Sequence, residues 1–191
     1  MTDEPYNTFL SRFRLLAVYL LVAALVALAR PNPLGVSGGA VLVALGETIR
    51  LWAAGYLLKT AELVTAGPYR YTRNPLYLGR LLIFTGLCVM ARLPYRLNLL
   101  VMALGWALFF GYYLKRKERV EPARLREVHG EPYDRYFRAV PALFPTLRPY
   151  PSSEPIGWSS ERMLRNREHL MVLALTAITL FLLWRAYASV S

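Results

Sequence analysis

Five apolar runs alternate with polar stretches along the chain of 191 residues. They cover residues 13–29, 39–58, 76–91, 97–114 and 169–187. Each run lies near the ~20 residues that a helix needs to cross the hydrocarbon core of a bilayer, although the third is short. Only residues 92–96, which include Pro94, join the third and fourth runs, and this link favours a short helical hairpin. The pattern predicts an all-α integral membrane protein with about five transmembrane helices in a single membrane domain, residues 1–191.

Composition supports this prediction and limits the kinds of molecule that the protein is expected to bind. Apolar residues make up 55% of the chain and the mean hydropathy is +0.31, which is too apolar for an ordinary soluble domain. The formal charge is +11, but the cations cluster between the apolar runs. That distribution is typical of membrane topology rather than of a nucleic-acid-binding face. We therefore expect the lipid bilayer, and not nucleic acid, as a partner.

The basic residues divide unequally between the two predicted sides of the membrane. One side carries Arg12, Arg14, Lys59, Arg70, Arg73 and residues 115–167. The other side carries only Arg30, Arg92, Arg96 and Arg185. Because loops rich in Lys and Arg stay in the cytoplasm, a multi-pass protein with a cytoplasmic N-terminus and an outside C-terminus is predicted.

The first apolar run has a second interpretation. Arg12 and Arg14 precede it, and Ala27-Leu28-Ala29 resembles the small-residue site at which signal peptides are cleaved. We favour a retained transmembrane helix, because five spans give the charge separation described above.

The longer polar segment, residues 115–168, has its own helical pattern. Apolar and aromatic residues recur at roughly helical spacing, at Val120, Leu125, Val128, Tyr133, Tyr136 and Phe137. We predict an amphipathic helix with Pro122 near its start, a turn at residues 129–132, and a second short helix. A proline-rich connector follows at about residues 140–158, and an extra C-terminal transmembrane helix at about residues 169–187.

The shorter polar segment contains GPYRYTRNPLYLGR, residues 67–80. Asn74 precedes Pro75 and is a plausible N-cap of the third transmembrane helix. The aromatic residues Tyr69, Tyr71 and Tyr77 fit an interfacial belt. A helix N-terminus flanked by Arg70, Arg73 and Arg80 also favours an anion, while aromatic faces favour a cation. A ligand that carries both a carboxylate and a positive centre would match this segment.

Two further groups of charged residues are candidates for chemistry. Glu118 and Glu121 lie three residues apart and share one helix face, although they could simply be solvated among neighbouring cations. Glu47 and Arg50 lie in the middle of the second apolar run, where charge is costly. We expect these two to pair with each other and to face the protein interior, either as a structural pair or as a contact to substrate or cofactor. The side chain of Arg80 is expected to extend so that its guanidinium reaches the membrane–water interface.

Several site types find no support in the sequence. There is no GxGxxG after a strand-like segment and no GxSxG, so a soluble dinucleotide-binding domain and a serine-hydrolase elbow are not expected. His129 and His169 are far apart and no Cys/His cluster exists, so no metal site is predicted. The single cysteine, Cys88, lies in an apolar run and is expected to have a packing role.

Two stretches resemble the isoprenylcysteine carboxyl methyltransferase family, which is related to the phospholipid N-methyltransferases. They are LVTAGPYRYTRNPLYLG, residues 63–79, and VEPARLREVHGEPYDRYFRAVPALFP, residues 120–145. The family signature is Arg-His-Pro-x-Tyr-x-Gly, a hydrophobic hairpin, then Glu-Glu and Gly-x-x-Tyr-x-x-Tyr. The resemblance covers a core region at about residues 46–145. Asn74 stands where the isoprenylcysteine enzymes have His, Glu121-Pro122 aligns with the Glu pair, and Ala142 stands where Arg is usual.

The resemblance implies that S-adenosyl-L-methionine binds at the cytoplasmic membrane edge, with S-adenosylhomocysteine as the product. The residues expected to bind this cofactor are Leu63, Gly67, Tyr69, Arg73, Asn74, Pro75, Tyr77, Gly79, Glu118 and Glu121. Arg73, Glu121 and Tyr136 are the expected catalytic residues, and Glu47, Arg50 and Tyr133 the expected substrate-binding residues. The short helix that carries Tyr133 and Tyr136 would cover the cofactor and exclude water.

The implied function is transfer of a methyl group to the carboxylate, amine or thiol of a lipid-like or lipidated acceptor at the cytoplasmic face. Three alternatives stay open at this point. They are a small-thiol or small-amine methyltransferase, a non-catalytic lipid-binding protein of the same fold, and a reductase of similar membrane fold that binds NADPH.

Overall fold

The computed structural model describes residues 8–57, 63–151 and 156–188, with side chains from Leu16 onward. The eight α-helices are α1 (Thr8–Ala27), α2 (Pro33–Tyr56), α3 (Pro75–Ala91), α4 (Leu97–Leu108), α5 (Leu114–His129), α6 (Glu131–Ala139), α7 (Ser160–Arg165) and α8 (Glu168–Ala188). The described ranges contain no strand, so the predicted all-α fold is confirmed. The side chains of Arg12, Arg14 and Lys59, used above for topology, lie outside the described part.

Some of the apolar helices in the described part of the chain are long enough to cross a membrane, and others are shorter. Three helical stretches are long and apolar enough to cross a bilayer: Pro33–Tyr56, Pro94–His129 and Glu168–Ala188. Leu16–Ala27 and Pro75–Ala91 are shorter apolar helices. Large apolar side chains on the outer faces, such as Leu104 on α4 and Leu173 on α8, are well exposed, as expected for surfaces that contact lipid.

Helices α2 and α3 pack closely because glycines face each other at two levels. A Cβ on Gly46 would lie 2.7 Å from the carbonyl oxygen of Gly79, and a Cβ on Gly86 would lie 2.6 Å from that of Gly39. Small residues of this kind allow two membrane helices to approach closely, which improves their van der Waals packing. The close contact places the first turn of α3 beside the last turns of α2.

The predicted hairpin between the third and fourth apolar runs is confirmed. Asn98 closes the link, because its side chain accepts from Leu93 N at 3.1 Å and donates to the Cys88 carbonyl at 3.0 Å. Further along the pair, Trp106 Nε1 donates to Thr85 Oγ1 at 3.1 Å. The Asn98–Cys88 and Trp106–Thr85 bonds therefore join α3 to α4 both near the link and further along the two helices.

The fourth run and the amphipathic helix are one continuous helical rod, which corrects the prediction that a helix starts near Pro122. One turn of π-helix, Phe109–Tyr113, connects α4 directly to α5, and Pro122 lies buried inside α5. The predicted turn after it is present: Gly130 has φ of 56° between α5 and α6. A π turn contains an extra residue, so it rotates the face that α5 presents to the rest of the protein.

The C-terminal part of the chain completes the bundle. Trp158 Nε1 donates to the Leu51 carbonyl, Arg162 Nε to the Gly55 carbonyl and Asn166 Nδ2 to the Ala54 carbonyl, so the free end of α2 is capped. Arg185 on α8 donates in the same way to the Val26 and Ala29 carbonyls at the end of α1. Helices α1, α2, α3 and α8 then share one apolar core. Cys88 is buried in this core, in a packing role.

Candidate functional site

The loop before α3 is shaped by a glycine and a buried tyrosine. Gly67 has φ of 57°, a left-handed conformation that favours glycine, and a Cβ there would lie 2.5 Å from the Tyr56 ring. The loop continues as a single 3₁₀ turn, Gly67–Arg70, whose Tyr69 is buried. Burial raises the pKa of Tyr69 above its ordinary value, so its phenol is neutral near pH 7.

The connector after α6 runs alongside this loop and is bonded to it through the backbone. Arg73 N donates to the Pro141 carbonyl at 3.0 Å, and Thr146 N donates to the Tyr71 carbonyl at 2.9 Å. Thr72 Oγ1 adds a bond to the Leu143 carbonyl at 2.9 Å. The loop and the connector are therefore one structural unit at the polar end of α3.

Arg73, Asn74 and Glu118 meet where this unit contacts α5; we refer to these three residues as the charged cluster. The guanidinium of Arg73 forms an ion pair with Glu118, and its second terminal nitrogen donates to the Phe137 carbonyl at 2.6 Å. Asn74 Nδ2 donates to Glu118 Oε1 at 2.7 Å and to the Ala142 carbonyl at 2.8 Å. Asn74 occupies the N-cap position of α3, as predicted, but its side chain makes no capping bond there.

Arg73 has one N–H group that no acceptor among the described residues satisfies. Its Nε is buried and has no hydrogen-bond partner among the described residues, although both terminal nitrogens are bonded. The guanidinium carbon lies 3.7 Å from the centroid of the Phe137 ring, within the range of a cation–π contact. A buried donor without an acceptor is a natural contact point for an anionic ligand.

The structure brings only one of the two predicted glutamates into the charged cluster. Glu121 is half-exposed and pairs with Lys117 on its own helix. The residues that share the inward face of α5 with Glu118 are Pro122, which is buried, and Leu125, which packs on the α6 cluster. Positions four and seven residues beyond Glu118 lie on its face, whereas Glu121 lies at the edge of that face. The carboxylate nearest to Arg73 is therefore Glu118.

Helix α6 covers the charged cluster with aromatic side chains. Tyr133 and Tyr136 are buried, and the Tyr136 hydroxyl donates to the Tyr69 carbonyl at 2.8 Å. Burial is the main cause that raises the pKa of Tyr133 to about 12, so this phenol also stays neutral near pH 7. Leu63 packs against the same aromatic group. Helix α6 therefore packs its aromatic side chains onto the loop before α3.

Tyr77 lies beside the charged cluster, on the side of α3 that faces α5. Its ring is 6.1 Å from that of Phe109 in the π turn, and Lys117 Nζ lies 5.0 Å from its centroid. Arg80 is exposed and its guanidinium carbon is 5.2 Å from the same centroid. Pro75 is buried in the first turn of α3, while Gly79 faces α2 and contacts Arg50 rather than the charged cluster.

The predicted pairing of Glu47 with Arg50 is wrong. Arg50 Nε and its terminal nitrogen bond the two oxygens of Glu168 on α8 at 2.8–3.1 Å, and the other terminal nitrogen donates to the Leu76 carbonyl at 3.3 Å. Glu168 offers both oxygens from a separate helix, so it forms a two-point contact, which favours a planar guanidinium. Neither oxygen of the buried Glu47 has a hydrogen-bond partner in the described part of the chain.

The geometry can now be compared with known proteins. The family model described as phospholipid methyltransferase matches residues 36–121. The match covers somewhat less than half of the chain and shows that these residues are similar to that family. The family resemblance predicted from the sequence is confirmed. The matched region runs from Val36 in α2 through α3, α4 and the π turn to Glu121 in α5, so all three residues of the charged cluster lie within it.

Two curated proteins are similar to the chain. The nickel-cobalt-cadmium resistance protein NccN of Alcaligenes xylosoxydans xylosoxydans is 29% identical over 157 residues, covering 75% of this chain and 70% of that protein. The cobalt-zinc-cadmium resistance protein CzcN of Cupriavidus metallidurans is 34% identical over 121 residues, covering 62% of this chain and 53% of that protein. No solved structure matches the chain significantly. In the described ranges, no group of three or more His, Cys, Asp or Glu side chains is arranged to hold a metal ion.

Two contributors to this region were missed by sequence reasoning. Phe137 supplies both a carbonyl and a ring to Arg73. Glu168 supplies the partner of Arg50 from outside the region that the family model matches. A signal for Glu168 existed, because it is the acidic residue directly before the last apolar run and a buried arginine needs a counter-ion.

Proposed function

We propose that the protein is a membrane-embedded S-adenosyl-L-methionine-dependent methyltransferase that modifies a lipid-like or lipidated acceptor. The observation that carries this proposal is the charged cluster of Arg73, Asn74 and Glu118 inside the region that is similar to phospholipid methyltransferases. It combines a cation, an anion and neighbouring aromatic rings at the polar end of two apolar helices. A zwitterionic ligand with an additional positive sulfur requires this combination of groups.

The residues present fit the methionine part of the donor. Arg73, whose buried Nε lacks an acceptor in the described part, would hold the carboxylate together with the N-terminus of α3. Glu118 would hold the ammonium, and the ring of Tyr77 would lie near the sulfonium. When bound, the donor supplies an electrophilic methyl group.

The other predicted cofactor residues have different tasks in this proposal. Gly67, Tyr69 and Pro75 shape the loop and the first turn of α3, and Leu63 supports α6. Gly79 lets α2 approach α3 closely. Glu121 is half-exposed and lies one turn beyond Glu118. Its carboxylate is available for a hydroxyl of the donor that lies farther from the methionine part.

The chain's own residues act mainly by binding, orienting and covering. A methyl transfer needs nucleophile, methyl and sulfur held in line, and this is a task of positioning. Tyr133 stays neutral because of its raised pKa, and the Tyr136 hydroxyl donates to a backbone carbonyl, so neither tyrosine serves readily as a base. An acceptor that is already anionic, or that loses its proton easily, suits such a site. Helix α6 would exclude water from it.

The acceptor is proposed to enter laterally from the bilayer, because the charged cluster lies at the end of apolar helices α3 and α4–α5. The cation-rich side, which carries residues 115–167, is proposed to face the cytoplasm. Labelling with a membrane-impermeant thiol reagent, in a variant with Cys88→Ser and Glu161→Cys, tests this orientation. Labelling only in inside-out vesicles supports it, and labelling in intact cells contradicts it.

The proposed function is tested first by titration calorimetry of the full chain in neutral detergent. Binding of S-adenosylmethionine and S-adenosylhomocysteine supports the enzyme, and absence of both refutes it. Binding of NADPH instead would indicate a reductase, and binding of lipid alone a non-catalytic protein. Incubation with labelled donor and total membrane lipid then identifies the acceptor. Because two similar proteins are named for metal resistance, membranes from cells grown with and without cadmium are both supplied.

A further inference from the structure

The connector after α6 exposes two large apolar side chains. Phe144 is 66% exposed and Leu147 is 97% exposed. Both belong to residues 144–148, which we call the connector tip. A single exposed apolar residue is normal on a protein surface, whereas two large ones close together indicate a surface that contacts a partner.

The connector tip is held in place by backbone hydrogen bonds on both sides. Thr146 N donates to the Tyr71 carbonyl at 2.9 Å. Tyr150 N donates to the Arg70 carbonyl at 2.9 Å. These bonds attach the tip to the loop before α3, and Leu147 lies between them. Its side chain is therefore presented outward from a bonded segment, at a defined position beside the transmembrane helices.

A ring contact gives the level of the connector tip relative to the transmembrane helices. The Phe144 ring stacks on that of Phe110, with centroids 6.5 Å apart and ring planes inclined by 23°. Phe110 lies in the π turn, two residues beyond Leu108, which ends α4 and exposes its side chain as a lipid-facing residue would. The first cation after α4 is Lys115, about 7 Å further along the helix axis. Phe144 therefore lies on the apolar side of that cation and continues the lipid-facing surface of α4.

The composition of the connector also fits a lipid surface. Residues 140–151 contain no acidic residue and a single cation, the exposed Arg148. Exposed apolar side chains next to a basic one are typical of segments that lie in the headgroup region of a membrane. We propose that the connector tip inserts Phe144 and Leu147 into the boundary between headgroups and acyl chains, with Arg148 at the lipid phosphates.

Membrane contact at the connector tip would act on the charged cluster through the connector backbone. The Pro141 carbonyl accepts from Arg73 N, and the Ala142 carbonyl accepts from Asn74 Nδ2. Both carbonyls lie within three residues of Phe144, so an inserted tip would hold them at one depth in the membrane. The inference does not depend on the proposed function, because insertion is measured without donor or acceptor.

The test is spin-label electron paramagnetic resonance on the full chain in vesicles of phosphatidylcholine and phosphatidylglycerol. Single labels are placed, in a Cys88→Ser background, by Leu147→Cys, Leu104→Cys and Glu131→Cys. Leu104 is exposed on α4 and serves as the lipid control, whereas Glu131 is exposed at the start of α6, beyond the far end of α5, and serves as the water control. Collisions of each label are measured with oxygen, which partitions into bilayers, and with a nickel chelate, which stays in water. We expect the oxygen-to-nickel ratio of Leu147→Cys to lie well above that of Glu131→Cys and to approach that of Leu104→Cys.

A second label leaves both apolar side chains of the connector tip in place. Pro149→Cys, one residue beyond the tip, should also show a raised ratio, and adding Leu147→Glu should lower it to the value of Glu131→Cys. This double variant should fold, because Leu147 is almost fully exposed and contributes little packing within the protein.

Three results would overturn the proposal. The first is a ratio for Leu147→Cys equal to that for Glu131→Cys, and the second is a ratio for Pro149→Cys that Leu147→Glu leaves unchanged. The third is protection of Leu147→Cys from both probes that increases with protein concentration, since a second copy of the chain would then cover the connector tip instead of the bilayer.

Discussion

The side-chain amide of Asn74 donates to Glu118 Oε1 at 2.7 Å and, with its second hydrogen, to the Ala142 carbonyl at 2.8 Å. One residue thereby joins the start of α3, the long helix that ends with α5, and the connector after α6. This explains how Asn is used at a position where the isoprenylcysteine enzymes have His. The side-chain amide has two N–H donors, so it bonds two acceptors at once.

Replacing Asn74 by Asp should separate these three elements. The substitution keeps the size but removes both donors and places a second carboxylate against Glu118, which is unfavourable at this distance. We expect weaker donor binding and faster proteolysis within residues 141–151. Limited proteolysis followed by mass spectrometry checks the second effect. Asn166→Asp is the control, because it removes a similar amide bond, from Asn166 to the Ala54 carbonyl at the end of α2. Wild-type cleavage rates in Asn74→Asp would argue against the amide as the link.

Breaking the buried Arg50–Glu168 pair should destabilise the fold strongly. Both side chains are at most 7% exposed, and Glu168→Gln would leave the guanidinium without its charge partner. We expect a loss of about 3–5 kcal/mol in the free energy of unfolding. The exposed pair of Glu161 and Arg165 provides the control, since Glu161→Gln should change stability by less than about 1 kcal/mol. Chemical unfolding in detergent micelles measures both; equal effects would mean that the buried pair has no special structural role.

Adding a methyl group between α2 and α3 should also be costly. In Gly46→Ala the new Cβ would lie 2.7 Å from a backbone oxygen of Gly79, which cannot move aside as a side chain can. Overpacking of this kind costs about 1–3 kcal/mol. Gly38→Ala is the matched control on the same helix, because nothing lies within 4 Å of its Cβ. Thermal unfolding midpoints should fall for the first variant and not for the second, and a fall in both would implicate the helix backbone instead.

The raised pKa of Tyr133 predicts a pH-dependent contribution to stability. In the unfolded chain a tyrosine ionises near its ordinary value of about 10, whereas the folded value is about 12. The contribution is complete below pH 10 and is lost as pH rises from 10 to 12, with a limiting slope of about 1.4 kcal/mol per pH unit. Tyr133→Phe should therefore gain stability relative to wild type on raising the pH from 9 to 11. Tyr95→Phe, at the exposed hairpin link, controls for loss of a surface hydroxyl. A pH-independent difference between wild type and Tyr133→Phe contradicts the assignment.

The sequence pattern predicted the larger features of the fold because they depend on local properties. Long apolar runs, the proline in the 92–96 link and the glycine at position 130 each determine structure within a few residues. The start of α5 was mispredicted for the same reason: Pro122 suggests a helix start locally, but the helix entering from the membrane continues through it.

The partners of charged residues depended on contacts between distant segments. Glu47 and Arg50 are close in sequence and suggested a pair, yet Arg50 binds Glu168, 118 residues away. The choice between Glu118 and Glu121 depended on the rotation of α5 after the π turn, which no spacing rule reveals. The family motif indicated the region of the site. The packing of α5 against the loop determines that Glu118, and not Glu121, pairs with Arg73.

The central claim is that Arg73 and Glu118 hold the methyl donor, and its most direct test is calorimetric titration of S-adenosylmethionine into wild type, Glu118→Gln and Glu121→Gln. Each variant removes one negative charge from α5. The two variants differ only in whether the lost carboxylate belongs to the charged cluster, as Glu118 does, or lies outside it, as Glu121 does. We predict that wild type binds, that Glu118→Gln binds at least about tenfold more weakly because the carboxylate that would hold the donor's ammonium is lost, and that Glu121→Gln loses less. Absence of binding to wild type, or equal affinity of wild type and Glu118→Gln, would contradict the account.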